Sequence, residues 1–199
     1  MCKKGLVGGC LAACMLFLAA CGKDTNISLA DVETDTLYVS GDGSMELANV
    51  EEFASEQYKE DELKTFIEDT IRTYKESGTD REDSVEMKDF QVKNKVAKVL
   101  LTLDNAETYK EFQGEEMQFL TSDNITDNLV LQATFKKVSD GKNIEKKTVL
   151  EEKGLKYLIL KGSLCVRVEG TIKYYADAML TGDSEVQTTG DKVAVIIFE

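Results

Sequence analysis

Cysteine is the residue type with the widest range of chemistry in this 199-residue chain, because a thiolate attacks carbon or sulfur and binds metals. Four of the five cysteines lie within the first 21 residues, and only Cys165 lies further along the chain. The sequence has no histidine. This excludes Ser-His-Asp and Cys-His catalytic systems and removes the commonest zinc ligand. The chemistry of the cysteines is therefore concentrated at the N-terminus.

The N-terminal stretch has the layout of a secretory signal. Lys3 and Lys4 form a basic start, Gly5 to Phe17 is a short apolar run, and small residues lead up to Cys21. The competing interpretation is an uncleaved membrane anchor. A membrane span needs roughly 20 apolar residues, whereas the run from Gly5 to Ala20 is shorter and ends in Gly-Lys-Asp. The pattern therefore favours a cleaved signal.

Leu18-Ala19-Ala20-Cys21 resembles the lipobox of bacterial lipoproteins. The resemblance implies that a diacylglycerol is attached to the Cys21 sulfur and that a type II signal peptidase cuts between Ala20 and Cys21. Two or more acyl chains give stable anchoring, at about 0.8 kcal/mol per buried methylene. We therefore expect the protein to remain lipid-anchored on the extracytoplasmic face of a cell membrane.

The charge balance is strongly acidic. The chain has 24 basic and 37 acidic residues, a net charge of −13, and removal of Lys3 and Lys4 with residues 1–20 would make it −15. Such a surface repels nucleic acid and anionic lipid. We therefore expect no nucleic-acid partner and attachment to the membrane through the lipid. Because lipidation leaves Cys165 as the one free thiol, no internal disulfide can form.

Three ranges make up the predicted domain organisation. Residues 1–20 are the signal, residues 21–35 are a lipidated N-terminus followed by a flexible tether, and residues 36–199 form one domain. The tether is predicted because this segment is polar and has no helical or strand periodicity. About 15 extended residues reach roughly 50 Å, which would hold the domain clear of the lipid headgroups.

Acidic side chains are the remaining candidates for metal ligands. Asp31, Glu33 and Asp35 alternate as in calcium-binding loops. An EF-hand loop also needs a glycine at its sixth position and a glutamate at its twelfth, and neither is present. The sequence therefore predicts no metal site, and no pattern in it indicates a cofactor.

A long helix is predicted from Glu60 to Glu76 by apolar residues at the i, i+3, i+4 spacing of one buried stripe, with Gly78 following as its C′ residue. The apolar residues of the stripe are Leu63, Phe66, Ile67, Ile71 and Tyr74. Acidic residues crowd the first turn, where the helix dipole favours negative charge. The acidic outer face is interpreted either as a solvated surface or as a docking surface.

The rest of the domain is predicted to be strands and one short helix. Hairpins are expected in residues 36–50, around Asp42-Gly43, and in residues 84–103. Asp104 and Glu107 have capping-box spacing for a short helix ending at Gly114. Later strands are predicted at 117–120, 129–138, 148–150, 156–160, 164–175 and 193–198. The fold is therefore predicted to be α+β, a mainly antiparallel sheet with one long and one short helix.

The final apolar run, Val193 to Phe198, predicts a strand covered on both faces.

Taken together, the lipobox and the lysine- and glutamate-rich helix before a hairpin are similar to small lipoproteins of anaerobic Gram-positive bacteria. That resemblance implies a host with a single membrane and carries no site residues.

Two further patterns have residue types used in catalysis. Ser139 and Lys142 have the S-x-x-K spacing of serine-lysine acyl enzymes, but both flank an Asp-Gly turn between strands. Cys165 shares a strand face with Arg167, which would lower its pKa; a plain position in a sheet is the alternative. Neither pattern predicts a catalytic residue.

Two other features point towards binding. Tyr174 and Tyr175 are adjacent on a strand, so one ring faces away from the core and offers a surface on which a sugar stacks. Half-buried tyrosine is also common in sheets. Residues 31–84 hold 17 acids and 5 bases, whereas residues 136–161 hold 4 acids and 8 lysines. The lysines either face anionic lipid or wall polymer or guard exposed strand edges.

The sequence thus predicts a lipid-anchored, outward-facing envelope lipoprotein whose domain is a non-catalytic interaction or binding module. Its predicted partners are the membrane, through the Cys21 lipid, and an envelope protein or wall polymer. The first alternative is a protein that binds a small ligand, peptide or glycan. The second is a hydrolase that uses paired carboxylates, which needs no histidine.

Overall fold

The computed structural model describes residues 25–54, 59–125 and 134–199, and within these ranges it contains thirteen strands and three helices. The helices are α1 (Glu60–Glu76), α2 (Ala106–Gln113) and α3 (Lys146–Glu151). The strands are β1 (Thr36–Val39), β2 (Met45–Glu52), β3 (Val85–Lys93), β4 (Val96–Leu103), β5 (Met117–Thr121), β6 (Thr134–Lys137), β7 (Asn143–Glu145), β8 (Lys156–Leu160), β9 (Cys165–Val168), β10 (Ile172–Ala176), β11 (Met179–Gly182), β12 (Glu185–Gln187) and β13 (Ala194–Phe198).

The strands form two sheets. The first sheet has the order β11-β12-β9-β1-β2-β4-β3, and the second has the order β5-β8-β13-β10-β6-β7. Among the strands described, β1 and β9 form the one parallel pair, and all other neighbours are antiparallel. The prediction of an α+β domain built mainly from antiparallel sheet is therefore confirmed, with α3 as an additional six-residue helix.

One hydrophobic core joins the two sheets. Leu47 of β2 and Leu101 of β4 belong to the same buried cluster as Leu158 of β8 and Phe198 of β13. Helices α1 and α2 pack at one side of this arrangement, α1 on β3 and α2 on β4 and β5. The helix α2 adds the buried ring of Tyr109 to the core. The helices thus cover β3 and β5, which lie at one edge of the first and second sheet respectively.

Strand β13 is covered on both faces, as its continuous apolar sequence predicts. Ile196 and Phe198 join the core between the sheets, whereas Val195 and Ile197 join a second cluster on the outer face of the second sheet. Helix α3 contributes Val149 to this second cluster. The strand pairs with β8 on one side and β10 on the other, so its backbone as well as its side chains are enclosed.

Several predicted elements have the expected positions. Helix α1 has the predicted bounds, and the turns near Asp42-Gly43 and residues 93–95 connect antiparallel pairs. Helix α2 ends at Gly114 in the left-handed conformation, with φ 74°. Its N-cap is Asn105, whose side chain accepts a hydrogen bond from the Thr108 N–H. The predicted capping box starting at Asp104 is therefore wrong by one residue.

Three predicted strands need correction. Residues 148–150 lie in helix α3, and the described part of the predicted strand 129–138 is the short strand β6, while residues 129–133 lie outside the described ranges. The predicted strand 164–175 is divided into β9 in the first sheet and β10 in the second. The division falls at Gly170, with φ 98°, where an added Cβ would collide with the backbone carbonyl oxygen of Glu199.

Residues 26–35, predicted to be flexible tether, instead pack on the outer face of the first sheet. We call this segment the strap. Its apolar side chains Ile27, Leu29 and Val32 are buried in one cluster with Ala48 of β2 and Leu100 of β4. The prediction of a tether is therefore wrong for residues 26–35, and residues 21–24 lie outside the described ranges. A short segment without periodicity gives no local sign of this burial, because its partners assemble only when β2 and β4 pair.

Polar groups also hold the strap. The Glu46 carboxylate, on a residue only 8% exposed, accepts hydrogen bonds from the backbone N–H groups of Asn26 at 2.7 Å and Ile27 at 2.8 Å. The Asn26 side-chain amide donates to the same carboxylate at 3.0 Å. Further along, Lys98 Nζ donates to two strap carbonyl oxygens at 3.0 and 2.5 Å. A buried carboxylate needs such partners to offset its lost hydration.

Candidate interaction surface

The predicted lipid attachment site, Cys21, and the predicted cleavage position after Ala20 lie outside the described residues. No helix within residues 25–54, 59–125 and 134–199 has the length and apolar character needed to cross a membrane. In the same ranges, no group of three or more cysteine, aspartate or glutamate side chains is arranged to hold a metal ion.

Cys165 is half-buried on β9, beside Arg167 and Glu185. Burial raises the pKa of the Cys165 thiol, and the negative charge of Glu185 raises this pKa further, which outweighs the lowering by Arg167. Arg167 Nε donates to the Glu185 carboxylate at 2.8 Å across the β9–β12 pair. Arg167 is thus directed at the Glu185 carboxylate. The pKa of Cys165 is raised, which contradicts the lowering by Arg167 that the sequence suggests.

The two adjacent tyrosines separate as the alternation of a strand requires. Tyr174 is buried, and its hydroxyl donates a hydrogen bond to the Glu152 carboxylate. Tyr175 is half-buried and lines a groove of ≈ 360 Å³ together with Lys136, Asn143 and Asp177. Of the two tyrosines, Tyr175 is therefore the ring that a ligand in this groove would meet.

The S-x-x-K pair lies in a turn, as expected from the sequence. Residues 138–140 form the turn that joins β6 to β7, and Lys142 has an 80% exposed side chain that pairs with Asp140 at 3.7 Å. No helix there presents Ser139 and Lys142 to each other, so the arrangement of an acyl enzyme is not formed.

An exposed aromatic side chain distinguishes helix α1. Phe66 is 66% exposed, although the apolar stripe predicted it to be buried, and Ile71 is the one buried residue of this helix. At 3.6 residues per turn, positions 66 and 71 point about 140° apart around the helix. Phe66 therefore lies at the margin of the stripe. The angle between positions 66 and 71 is the sequence signal from which the exposure of Phe66 could have been predicted.

Phe66 borders a shallow groove between α1 and α2 with a volume of ≈ 480 Å³. We call the residues lining it the α1–α2 surface. They are Phe66, Asp69, Thr70, Thr73, Tyr74, Ser77, Glu111 and Phe112. The Tyr74 and Phe112 rings meet edge to face, with centroids 5.3 Å apart, so the floor of the groove is a fixed aromatic pair.

Arg81 holds one end of the α1–α2 surface. Its guanidinium lies over the Tyr74 ring at 4.5 Å from the centroid and donates to the Glu111 carboxylate at 2.6 Å. The Tyr74 hydroxyl donates to the same carboxylate at 3.0 Å. Burial, followed by the hydrogen bond to Glu111, raises the pKa of Tyr74. These contacts fix the aromatic floor without filling the groove beside Phe66.

The charge around the groove is mainly negative. Helix α1 carries six acidic and three basic residues, with Glu60, Asp61 and Glu62 in its first turn. The arginines beside the groove are already paired, Arg72 with Asp69 at 2.7 Å and Glu76 at 3.7 Å, and Arg81 with Glu111. An exposed aromatic ring with an apolar groove and surplus carboxylates suits an apolar side chain that is flanked by cations.

A second concave region lies where the described chain begins. Thr25 and Asn26 line a cavity of ≈ 550 Å³ together with Asp83, Glu86 and Asp104. This end of the first sheet is acidic and contains the point at which the strap enters the fold. The chain matches no known protein family, no curated protein and no solved structure.

Proposed function

We propose that this protein is a lipid-anchored, non-catalytic interaction module of the cell envelope that binds another envelope protein through the α1–α2 surface. The observation that carries the proposal is the 66% exposed ring of Phe66 beside an apolar groove. The proposed occupant is a partner segment with one apolar side chain flanked by lysine or arginine. Anchoring through Cys21 rests on the lipobox, Leu18-Ala19-Ala20-Cys21.

The geometry supports an aromatic anchor for binding. Binding energy at interfaces is concentrated in a few residues, and aromatic side chains are enriched among them. When a partner covers Phe66, its exposed apolar area is removed from water. This burial contributes about 25 cal/mol per Å² to the free energy of binding. The fixed Tyr74–Phe112 pair adds a surface that needs little ordering on binding, which lowers the entropic cost.

The charges support a basic partner. The acidic residues of α1 outnumber its basic residues, so a cationic segment is attracted and an anionic wall polymer is repelled. The interaction is expected to weaken with salt, because exposed charges are screened within about 10 Å at 0.1 M ionic strength.

The test is site-directed photo-crosslinking on intact cells, with the photoreactive group placed at Thr70 in the groove. We expect one reproducible partner, whose linked segment is basic. A synthetic peptide of that segment should bind the purified domain, with affinity reduced at least about tenfold by Phe66→Ala, or about 1.4 kcal/mol.

Met179 provides the matched control for this experiment. It is 61% exposed on β11 and does not line the groove, so Met179→Ala should leave peptide affinity unchanged. An acidic linked segment, or equal losses from the two substitutions, would contradict the proposed surface. Separately, Cys21→Ser should abolish lipidation and prevent cleavage before position 21; a variant that is still trimmed there and still membrane-bound would contradict the anchor.

A glycan-binding protein is the second candidate, because Tyr175 lines its own groove with the polar side chains of Asn143 and Asp177. A panel of wall saccharides in a thermal-shift assay tests this function. A ligand at 100 times its dissociation constant adds about 2.7 kcal/mol to stability. A shift that Tyr175→Ala abolishes would favour this candidate over the α1–α2 surface.

A further inference from the structure

The strap changes how far the domain can stand from a membrane. If all of residues 21–35 were free, the reach from Cys21 would be roughly 50 Å. Because the structure ties Asn26 and Ile27 to Glu46, only the residues between Cys21 and Thr25 remain to span the distance. The five Cα–Cα steps from Cys21 to Asn26 cover at most about 18 Å.

We propose that the strap is a positioning device that holds the acidic end of the first sheet against the lipid headgroups. This inference rests on the lipid anchor in the proposed function. The surface it assigns to the membrane is the cavity end lined by Thr25, Asp83, Glu86 and Asp104. The hairpin turn at the opposite end of β3 and β4, next to Lys93, then points away from the membrane.

Two independent sets of contacts make the strap a firm attachment. Three buried apolar side chains, Ile27, Leu29 and Val32, pack on the outer face of the first sheet with exposures of 0%, 2% and 2%. Glu46 and Lys98 then direct their charged groups at strap backbone atoms. Release of the strap would expose the apolar area and leave a nearly buried carboxylate without these partners.

The chemistry of the membrane-facing end indicates which lipid surface it fits. Carboxylates at Asp83, Glu86 and Asp104 border the cavity, and among the described residues Lys88 is the one cation lining it. Lys88 is paired with Glu86. Anionic headgroups would repel this end, so headgroups without net charge are the surface that it tolerates at short range.

The experiment measures energy transfer from a dye on the acylated protein to acceptor-labelled headgroups in phosphatidylcholine vesicles. Two single-label proteins carry Cys165→Ser with either Glu86→Cys or Lys93→Cys. Both positions are exposed and lie on β3, separated along the strand by roughly 23 Å. We expect transfer from position 86 to exceed transfer from position 93 roughly twofold.

A ten-residue Gly-Ser spacer inserted after Lys23 lengthens the connection and leaves the strap intact. It should lower transfer from position 86 to about the level of position 93.

The double substitution Ile27→Ser with Leu29→Ser should have the same effect, because it releases the strap. If this double variant does not fold, the spacer variant tests the proposal by itself. If the protein binds the vesicles but energy transfer is equal from both positions, or does not change with the spacer, the strap proposal is overturned and the lipid anchor is not. Failure of the acylated protein to bind vesicles would overturn both this proposal and the lipid anchor.

Discussion

Strand β13 and helix α1 are both marked by apolar residues in the sequence, but the fold uses them in opposite ways. All five residues of β13 are buried, whereas Ile71 is the one buried residue among the seventeen of α1. The strand meets a hydrophobic cluster on each face, and the helix packs along β3 with one side only. Stability is therefore concentrated around β13, while α1 leaves apolar surface free for a partner.

The most severe test of this comparison is removal of β13. Deleting residues 193–199 takes away a strand that pairs with both β8 and β10 and opens two hydrophobic clusters at once. We expect no cooperatively folded domain, because the lost burial exceeds the 5–15 kcal/mol by which typical domains are stable. Thermal unfolding followed by circular dichroism measures this, and a truncated protein that melts like the full chain would refute it.

A matched pair of isoleucines compares the two elements without deleting either. Ile197 in β13 is 0% exposed and Ile71 in α1 is 8% exposed. Ile197→Ala should cost about 3–5 kcal/mol and Ile71→Ala about 2 kcal/mol, because a fully enclosed site cannot collapse around the cavity. Urea denaturation gives both values. Equal losses would show that α1 is as much part of the stabilising core as β13.

A pair of tyrosines extends the comparison to pH. Next to β13, burial and then the hydrogen bond to Glu152 raise the pKa of Tyr174 to about 12. The folded pKa lies above the unfolded value of about 10. The stability that this shift contributes is therefore complete below about pH 10 and is lost as the pH rises towards 12.

The measurement is urea denaturation at several pH values between about 9 and 12. Tyr174→Phe should remove a distinct part of the alkaline loss of stability. Tyr74→Phe should remove less, because Tyr74 on α1 is only half-buried, although its pKa is also raised. If Tyr74→Phe has the larger effect, the assignment of the more enclosed site to the β13 side is wrong.

The smallest expected effect on stability belongs to Phe66→Ala. Its ring is 66% exposed, so the free energy of unfolding should change by no more than about 0.5 kcal/mol. Urea denaturation of this variant beside Met179→Ala, which has a similar exposure, measures the change. A loss above about 1 kcal/mol for Phe66→Ala alone would place the ring in the core and remove it from the proposed binding surface.

Local pattern was enough to predict the elements whose burial repeats along the chain. The bounds of α1 and the hairpins of β1–β2 and β3–β4 follow from periodicity and turn residues, and the two-sided burial of β13 follows from its continuous apolar sequence. The candidate surface was only half predicted. The sequence offers the acidic face of α1 as a docking surface but places Phe66 in the buried stripe.

The failures share a cause. The break at Gly170, the helix α3 and the strap all depend on contacts between segments that are distant in sequence. Gly170 is constrained by the backbone of Glu199, Val149 of α3 by the outer face of the second sheet, and the strap by β2 and β4. No window of neighbouring residues contains this information.

By itself the sequence determined the class of fold, the long helix, the central apolar strand and the absence of histidine chemistry, because these depend on residue type and short-range spacing. Only the tertiary structure decided which side of α1 is left uncovered, how the pKa of Cys165 shifts and where residues 26–35 lie. Those outcomes depend on two sheets meeting in space. A polar-looking segment becomes part of the fold when paired strands supply the apolar surface and the charged groups that hold it.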